Sequence, residues 1–285
     1  MSNRICLITG ANSGIGKITA RELAAQGMDI IMVCRNEAKG RAAREEIMPL
    51  AKGKVDLLTG DLASQESIVQ LVRQVRSQYG QLDVLVNNAG LIVDKLAYTP
   101  EGYESTFGIN HLGPFLLTNL LLDLMKKGQE PRIITVSSAA HKRGKWDLND
   151  LARPKKFSSL AAYGNSKLAN ILFSNELAKR IKDLGITSNS LHPGAVRTNF
   201  AAEAGGGLFA KMFNLARPFF ITAEQGAETS IYLASSPQVR GVTGKYFDKK
   251  LPKTPSKEAQ SDVNARMLWE KSAEWTNLDE RMKQL

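Results

Sequence analysis

Short apolar runs alternating with stretches of helical spacing constrain this chain more than any other feature. Arg4-Ile5-Cys6-Leu7-Ile8-Thr9 reads as a buried strand, short and stopped by a glycine. From Ile15 to Gln26 the apolar residues Ile18, Leu23 and Ala24 recur at helical spacing, and Gly27 marks the stop. The pattern continues with a strand at Ile30–Cys34, a charged helix from about Glu37 to Met48 and a strand at Val55–Leu58. A helix over Ser64–Tyr79 carries Ile68, Leu71, Val72 and Val75, and Val84–Val86 and Arg132–Val136 read as the next strands. Strands that alternate with helices of this length imply βαβ units and a parallel sheet covered on both faces. No linker or repeat divides the sequence, so one doubly wound α/β domain over residues 1–285 is expected. Lys249 to Lys257, with Pro252 and Pro255, reads as a surface loop before a last helix containing Met267, Leu268 and Trp269.

Composition removes several other classes. With 43% hydrophobic and 23% charged residues over 285 positions, the chain is neither collagen-like nor disordered, and it is long enough for a large core. Two cysteines, Cys6 and Cys34, supply neither a disulfide framework nor a four-ligand zinc site; on neighbouring strands they read as small buried residues. The longest apolar stretch, Pro114–Met125, is broken by Thr118, Asn119 and Asp123 and is too short for a bilayer core of about 30 Å. The strand-like run begins by Ile5, so neither a signal peptide nor an N-terminal anchor is expected, and the expected location is the cytoplasm. The net charge of +10 is uneven: Lys126 to Lys156 holds nine Lys or Arg against Glu130, Asp147 and Asp150. No nucleic-acid motif accompanies this excess, which reads as a solvated basic face, and no nucleic-acid partner is expected.

Thr9-Gly10-Ala11-Asn12-Ser13-Gly14-Ile15-Gly16 falls at the turn from the first strand to the first helix. Glycines there let the chain turn sharply and approach a pyrophosphate, and the helix start offers free N–H groups. An ATP-binding P-loop fits poorly, because Ala11 stands where its first glycine belongs and Ile18 replaces the magnesium-binding hydroxyl after Gly16-Lys17. The expected fold is therefore of Rossmann type, with a dinucleotide at this turn. The end of the second strand, Cys34-Arg35-Asn36, has a cysteine where an NAD site carries an acid, followed at once by a guanidinium. Arginine's planar fork suits a 2′-phosphate, so NADP(H) is the expected cofactor; a surface salt bridge from Arg35 to Glu37 or another neighbour is the plainer alternative.

Tyr163-Gly164-Asn165-Ser166-Lys167 places a tyrosine and a lysine on one helical face. A nearby ammonium favours the phenolate and makes a phenol a usable acid or base. With Thr9-Gly10-x-x-x-Gly14-x-Gly16, Asp61-Leu62, Asn87-Asn88-Ala89-Gly90, Asn110, Val136-Ser137-Ser138 and Pro193-Gly194-x-x-x-Thr198 in order around it, the sequence resembles the short-chain dehydrogenase/reductase family. His111-Leu112-Gly113-Pro114-Phe115-Leu116-Leu117-Thr118, Ser166-Lys167-Leu168-Ala169-Asn170, Leu191-His192-Pro193-Gly194 and Ala223-Glu224-Gln225-Gly226-Ala227 are most similar to its retinol dehydrogenase-like branch.

The resemblance implies a set of roles. Tyr163 exchanges the proton with the substrate oxygen, Lys167 lowers the tyrosine's pKa and binds the nicotinamide ribose, and Ser138 orients the carbonyl. Asn110 supports a water-linked proton path to Lys167. The cofactor-binding set is Gly10, Asn12, Ser13, Gly14, Ile15, Gly16, Arg35 and Asn36, with Asp61 and Leu62 at the adenine and Asn88, Ala89 and Gly90 at the adjoining ribose. Pro193, Gly194 and Thr198 belong to the nicotinamide segment, beside Tyr163 and Lys167. The implied reaction is hydride transfer between nicotinamide and an apolar aldehyde or ketone, or the matching alcohol. A homodimer through the helices that bear Asn110 and Tyr163 is implied as well. The 25-residue separation of Ser138 and Tyr163 implies that the basic insert loops out between strand and helix.

Other residues carry weaker readings. His111, His141 and His192 lie neither near a Gly-x-Ser-x-Gly elbow nor among acids at metal-ligand spacing, so they read as structural or surface and no metal is expected. The apolar stretch Leu208–Phe220 reads as part of a substrate lid over about 199–222, with plain core packing and peripheral membrane contact as alternatives. A non-catalytic NADP(H) sensor or scaffold would share the fold, because fold alone never proves activity.

Overall fold

The structure, a computed structural model, describes residues 3–196 and 220–285. One eight-stranded sheet runs β3-β2-β1-β4-β5-β6-β7-β8. Its strands are β1 (Ile5–Thr9), β2 (Asp29–Cys34), β3 (Val55–Thr59), β4 (Val84–Asn87), β5 (Arg132–Val136), β6 (Thr187–His192), β7 (Tyr246–Asp248) and β8 (Leu251–Lys253). All neighbours pair in parallel except β7 and β8. The chain reverses its direction of travel across the sheet between β1 and β4, the crevice where open sheets of this kind take ligands. The doubly wound α/β fold expected from the alternation is the one observed.

The helices are α1 (Gly14–Ala25), α2 (Glu37–Ile47), α3 (Gln65–Gln78), α4 (Ser105–Phe107), α5 (Gly113–Met125), α6 (Leu148–Leu151), α7 (Ser159–Arg180), α8 (Ala223–Ser235), α9 (Asp262–Trp275) and α10 (Leu278–Lys283). Strand pleating divides their work. Cys6 and Ile8 enter one apolar layer with α1, α2 and α8, whereas Leu7 enters the other with α3, α5 and α7. Cys6 and Cys34 are both buried free thiols whose acidity burial suppresses, Cys34 to a pKa of about 11, which bears out their structural reading. The expected loop at Lys249–Lys257 instead contains β8, three exposed residues at the sheet edge. A strand this short shows no alternation, and only an edge tolerates Pro252.

The C-terminal helices complete the core. Leu268 and Ala265 of α9 join Leu168 and Leu172 of α7 in a third apolar cluster. Trp269 stacks on Phe173 at 5.9 Å and lies under the Arg180 guanidinium at 4.6 Å. Helix α9 thus covers α7 and α10 lies on α5, so a homodimer through the helices bearing Asn110 and Tyr163 would have to displace or pack over them. No helix among the described residues is long and apolar enough to cross a membrane.

The basic insert does loop out, but its first turn folds back. Ala139–Arg143 forms a 3-10 turn against α7, while Lys142, Arg143, Lys145, Arg153, Lys155 and Lys156 face solvent. The close approach is made at Gly164, where an added Cβ would lie 3.1 Å from the Ala140 carbonyl oxygen and 3.2 Å from the Gly144 nitrogen. The Lys145 N–H donates to Asn165 Oδ1 at 2.8 Å and closes the contact. Absence of a side chain at residue 164 is therefore what brings the turn after Ser138 onto the helix of Tyr163. Gly164→Ala should destabilise the fold by about 1–3 kcal/mol through overpacking. The check is the urea midpoint at unchanged slope; an alanine with no effect would show that the turn is free to move away.

Candidate active site

At the nucleotide end, β1 stops at Thr9 and the chain turns through Gly10 and Gly14, both at positive φ (66° and 53°). Side chains from the end of β4 brace this turn. The Thr9 hydroxyl oxygen accepts from the backbone N–H of Asn88 and of Ala89, each at 3.0 Å. The Asn88 amide donates to the Thr9 carbonyl at 2.8 Å. A Cβ on Gly16 would collide with the Gly10 carbonyl and the Asn88 amide, so only glycine lets α1 start this close to the turn. Ser13 caps α1 with no side-chain hydrogen bond, and the first turn holds no acid. Its N–H groups and the positive end of the helix dipole are therefore available to an anion. Asn12, Ser13, Gly14 and Ile15 all retain some exposure around that end. Lys17, the residue that made a P-loop thinkable, is ion-paired with Glu46 at 2.7 Å instead.

Beyond β2, Arg35 is exposed and forms no ion pair among the described residues. The plainer alternative fails on geometry, since the Glu37 carboxylate is taken by Arg41 one helical turn on, through Nε at 3.0 Å and Nη2. Asn36 caps α2 by accepting from the Lys39 N–H at 2.9 Å, so its oxygen serves the helix. Asp61 accepts from the Ala63 N–H at 2.9 Å, and Leu62 turns into the core with only 7% exposure. Leu62 therefore offers a ligand its backbone rather than its side chain.

At the other end of the crevice, four groups converge at the C-terminal edge of β4 and β5. Asn110 lies in a π-helical turn, Gly108–Leu112, of the sort that clusters at functional sites. Its side chain is fully committed: Oδ1 accepts from the Leu91 N–H at 2.8 Å, and Nδ2 donates to the Leu91 carbonyl at 2.8 Å and to Ser166 Oγ at 3.0 Å. A Cβ on Gly90 would stand 3.2 Å from Lys167 Nζ and 3.3 Å from Asn110 Oδ1, so Gly90 is the floor of this pocket. Lys167, 3% exposed, donates to the Val136 carbonyl at 3.1 Å. Its Nζ is 5.5 Å from the centre of the Tyr163 ring, and Ser138, whose hydroxyl accepts from the Ala140 N–H at 3.2 Å, stands near enough to the phenol to oppose the effect of burial on it.

The electrostatics differ from the implied scheme at one point. Burial pushes the Tyr163 phenol up to about 12, against the opposing pull of the Ser138 hydrogen bond, and lowers Lys167 to about 8. Desolvation, not the neighbouring ammonium, dominates the tyrosine in this protein-only site. Near neutral pH the phenol keeps its proton and the lysine its charge.

Pro193 and Gly194 follow β6, with Gly194 at φ 94°. Ile221 returns to this segment, donating its N–H to the Ala195 carbonyl at 2.8 Å. Thr198 and positions 199–219 of the expected lid lie outside the described residues. Several participants were not singled out from sequence. Ser166 bridges Asn110 to the Tyr163 carbonyl at 2.8 Å, and the Ser137 hydroxyl holds the Lys167 carbonyl at 2.7 Å. Their places beside Lys167 and Ser138 were the available signal. Among the described residues, no group of three or more His, Cys, Asp or Glu is placed to hold a metal ion.

Comparison with known proteins agrees with this geometry. The short chain dehydrogenase family matches residues 4–206. Human retinol dehydrogenase 14 is 42% identical over 286 residues, covering 95% of this chain and 85% of that protein. A crystal structure of an uncharacterized protein from Mycobacterium paratuberculosis superposes with a TM-score of 0.78 at 34% identity, over 97% of this chain and 94% of that one. A Shigella flexneri short chain dehydrogenase complexed with NADP matches at TM-score 0.67 and 25% identity, over 88% and 98% of the two chains. A 3-ketoacyl-(acyl-carrier-protein) reductase from Brucella melitensis complexed with NADH matches at 0.68 and 27%, over 86% and 96%. With its glycine turn, its tyrosine–lysine pair and these relatives, the chain is an oxidoreductase that belongs to the short-chain dehydrogenase/reductase family, on the retinol dehydrogenase-like branch.

Proposed function

We propose that this single domain, residues 1–285, is an NADP(H)-dependent reductase of apolar aldehydes or ketones, acting also on the matching alcohols, with Tyr163 as the proton donor. The observation that carries the reading is the buried Lys167 ammonium 5.5 Å from the centre of the Tyr163 ring, on the Gly90 floor of the sheet crevice with Asn110 beside it. The open start of α1 suits a pyrophosphate, and exposed Arg35, without an ion pair among the described residues, suits the 2′-phosphate that separates NADP from NAD. Gly90, Lys167 and the Pro193-Gly194 segment would hold the nicotinamide half. The cofactor supplies the hydride.

The remaining work falls to the chain. Ser138 holds the carbonyl oxygen through its hydroxyl, and Tyr163 gives that oxygen its proton as negative charge develops there. Lys167 keeps a positive charge nearby and favours the phenolate that Tyr163 becomes. Asn110 fixes Leu91 and Ser166, and so fixes the wall on which Tyr163 and Lys167 are mounted. An apolar substrate follows from the Leu208–Phe220 composition and from the name of the human relative.

Three measurements check this. Tyr163→Phe should reduce NADPH-linked turnover of an apolar aldehyde panel, retinal included, by at least about 10²-fold, the low end for losing a general acid. Normal turnover would refute the mechanism, and NADPH binding without turnover of any member would favour the sensor reading. Arg35→Ala should weaken NADPH binding by about 10–100-fold, the range of one to two charge-assisted hydrogen bonds, and leave NADH binding nearly unchanged. Equal losses would contradict the assignment. Lys167 releases its proton as pH rises through about 8, so kcat/KM for NADPH should be level from about neutrality up to that value and fall about tenfold per pH unit above it. A profile flat to pH 10 would show that the lysine charge is not required.

A further inference from the structure

His192 ends β6 at the edge of the active site, and its imidazole joins two segments that the sheet leaves apart. The β5–β6 pairing extends one step past β5, where the Ser137 N–H donates to the Leu191 carbonyl at 2.8 Å. Beyond that point the strands diverge, and the next amides face no strand carbonyl. Nδ1 of His192 takes their place as acceptor. It receives the N–H of Ala139, the residue after Ser138, at 3.2 Å, and the N–H of Gly194 at 3.3 Å. One nitrogen lone pair therefore spans the turn that carries the Ser138 hydroxyl and the segment assigned to the nicotinamide.

A second imidazole supports the same turn from the other side. His141 is fully buried; its Nε2 accepts from the Ser256 N–H at 3.1 Å, which leaves Nδ1 protonated and donating to the Ser138 carbonyl at 2.7 Å. Both rings are required in the neutral form, each with a defined tautomer. His192 is the more accessible of the two, being only partly buried.

We propose that His192, neutral and protonated on Nε2, is a positioning residue that holds the Ser138 turn and the Pro193-Gly194 segment in register, and that protonation of Nδ1 releases both together. This rests on the function proposed above for the meaning of the register, not for the hydrogen bonds. A proton on Nδ1 would point at two N–H donors, so both bonds are lost at once. The charged and titratable groups that face the ring among the described residues are Asp248 on β7, which favours the imidazolium, and His141 and Lys142 on the 3-10 turn, which oppose it. Burial is the largest influence and sets the balance below the usual histidine value of about 6.5. The latch is accordingly closed at neutral pH and opens as pH falls through that lowered value.

The test uses the full chain labelled with ¹⁵N-histidine, in which only three imidazoles contribute signals. Two-bond ¹⁵N–¹H spectra at pH 7.5 should give the His192 ring an Nε2–H tautomer, with assignment by the loss of its signals in His192→Asn. A kinetic pair complements them. His192→Leu removes the acceptor and should lower kcat and NADPH affinity by about tenfold, the cost of about one buried hydrogen bond. His192→Asn keeps an oxygen acceptor at the Nδ1 position without a titrating group, so it should restore both within about threefold and abolish the acid limb of the profile. An Nδ1–H tautomer, a leucine variant equal to the parent, or an acid limb that persists in His192→Asn would each overturn the proposal. Should the leucine variant not fold, the tautomer and the asparagine profile still decide. Should no carbonyl be turned over at all, the function reading fails by itself, and the tautomer with the pH dependence of NADPH binding in parent and asparagine variant still judges the latch.

Discussion

The clasp between Thr9 and the end of β4 is the contact on which both halves of the site depend. The Thr9 hydroxyl receives two backbone N–H groups from Asn88 and Ala89, and the Asn88 amide returns a hydrogen bond to the Thr9 carbonyl. Parallel strands pair only along their length, and past their ends nothing in the ladder holds one loop to the next. The glycine turn and the Gly90 floor lie just past two such ends, on either side of the switch in strand order. Three hydrogen bonds at the clasp convert two loops into one surface, with the open start of α1 at one side and Lys167 and Asn110 at the other. The role implied for Asn88 by family resemblance, contact with a ribose, is thereby narrowed: its amide nitrogen serves the protein, leaving Ala89 and Gly90 nearer the pocket.

Burial, more than any pairwise charge, sets the proton inventory beyond that surface. Desolvation penalises whichever form is charged, so it raises the phenol and lowers the amine together. A tyrosine–lysine pair in water near pH 7 would hold both protons as well, but with ample reserve on the lysine. In this pocket the reserve is about one pH unit, and the phenol is well held. Near neutral pH both groups therefore keep their protons, the phenol firmly and the lysine with little to spare. The same penalty explains why Asn110 and Ser166 are hydrogen-bonded to completion: an unmet polar group beside a buried ammonium would cost as much as a lost hydrogen bond.

Much of this was legible along the chain, and the divide between legible and hidden is physical. Strand and helix periods are local, so the order of elements from β1 to β5 could be read directly, as could the glycine turn and the spacing of Tyr163 and Lys167. The exposed position of Arg35 just past β2 was legible because the character of a strand end is local too. Gly164 was not: its need for a bare Cα comes from a turn that begins at Ser138, brought back by the whole basic insert. Asn36 and Leu62 show a second thing that family position does not carry: their side chains are engaged within the protein, as a helix cap and in the core. Strand β8 escaped because three exposed residues with a proline leave no period to detect.

The histidines make the same point with more consequence. Read along the chain, His141 and His192 stand near no acid at ligand spacing and near no nucleophile elbow, and a structural reading follows. That reading is correct as far as it goes, since both rings bond only to backbone groups. Yet where strands splay at the C-terminal edge of a parallel sheet, amides lose their ladder partners at the very place where the reacting groups gather. A structural bond made there determines where the Ser138 hydroxyl stands. An imidazole acceptor can take a proton and makes that position depend on proton activity, whereas a backbone carbonyl in its place would not. At such an edge the difference between a structural and a functional residue is one of what it holds in place, and sequence spacing carries no record of that.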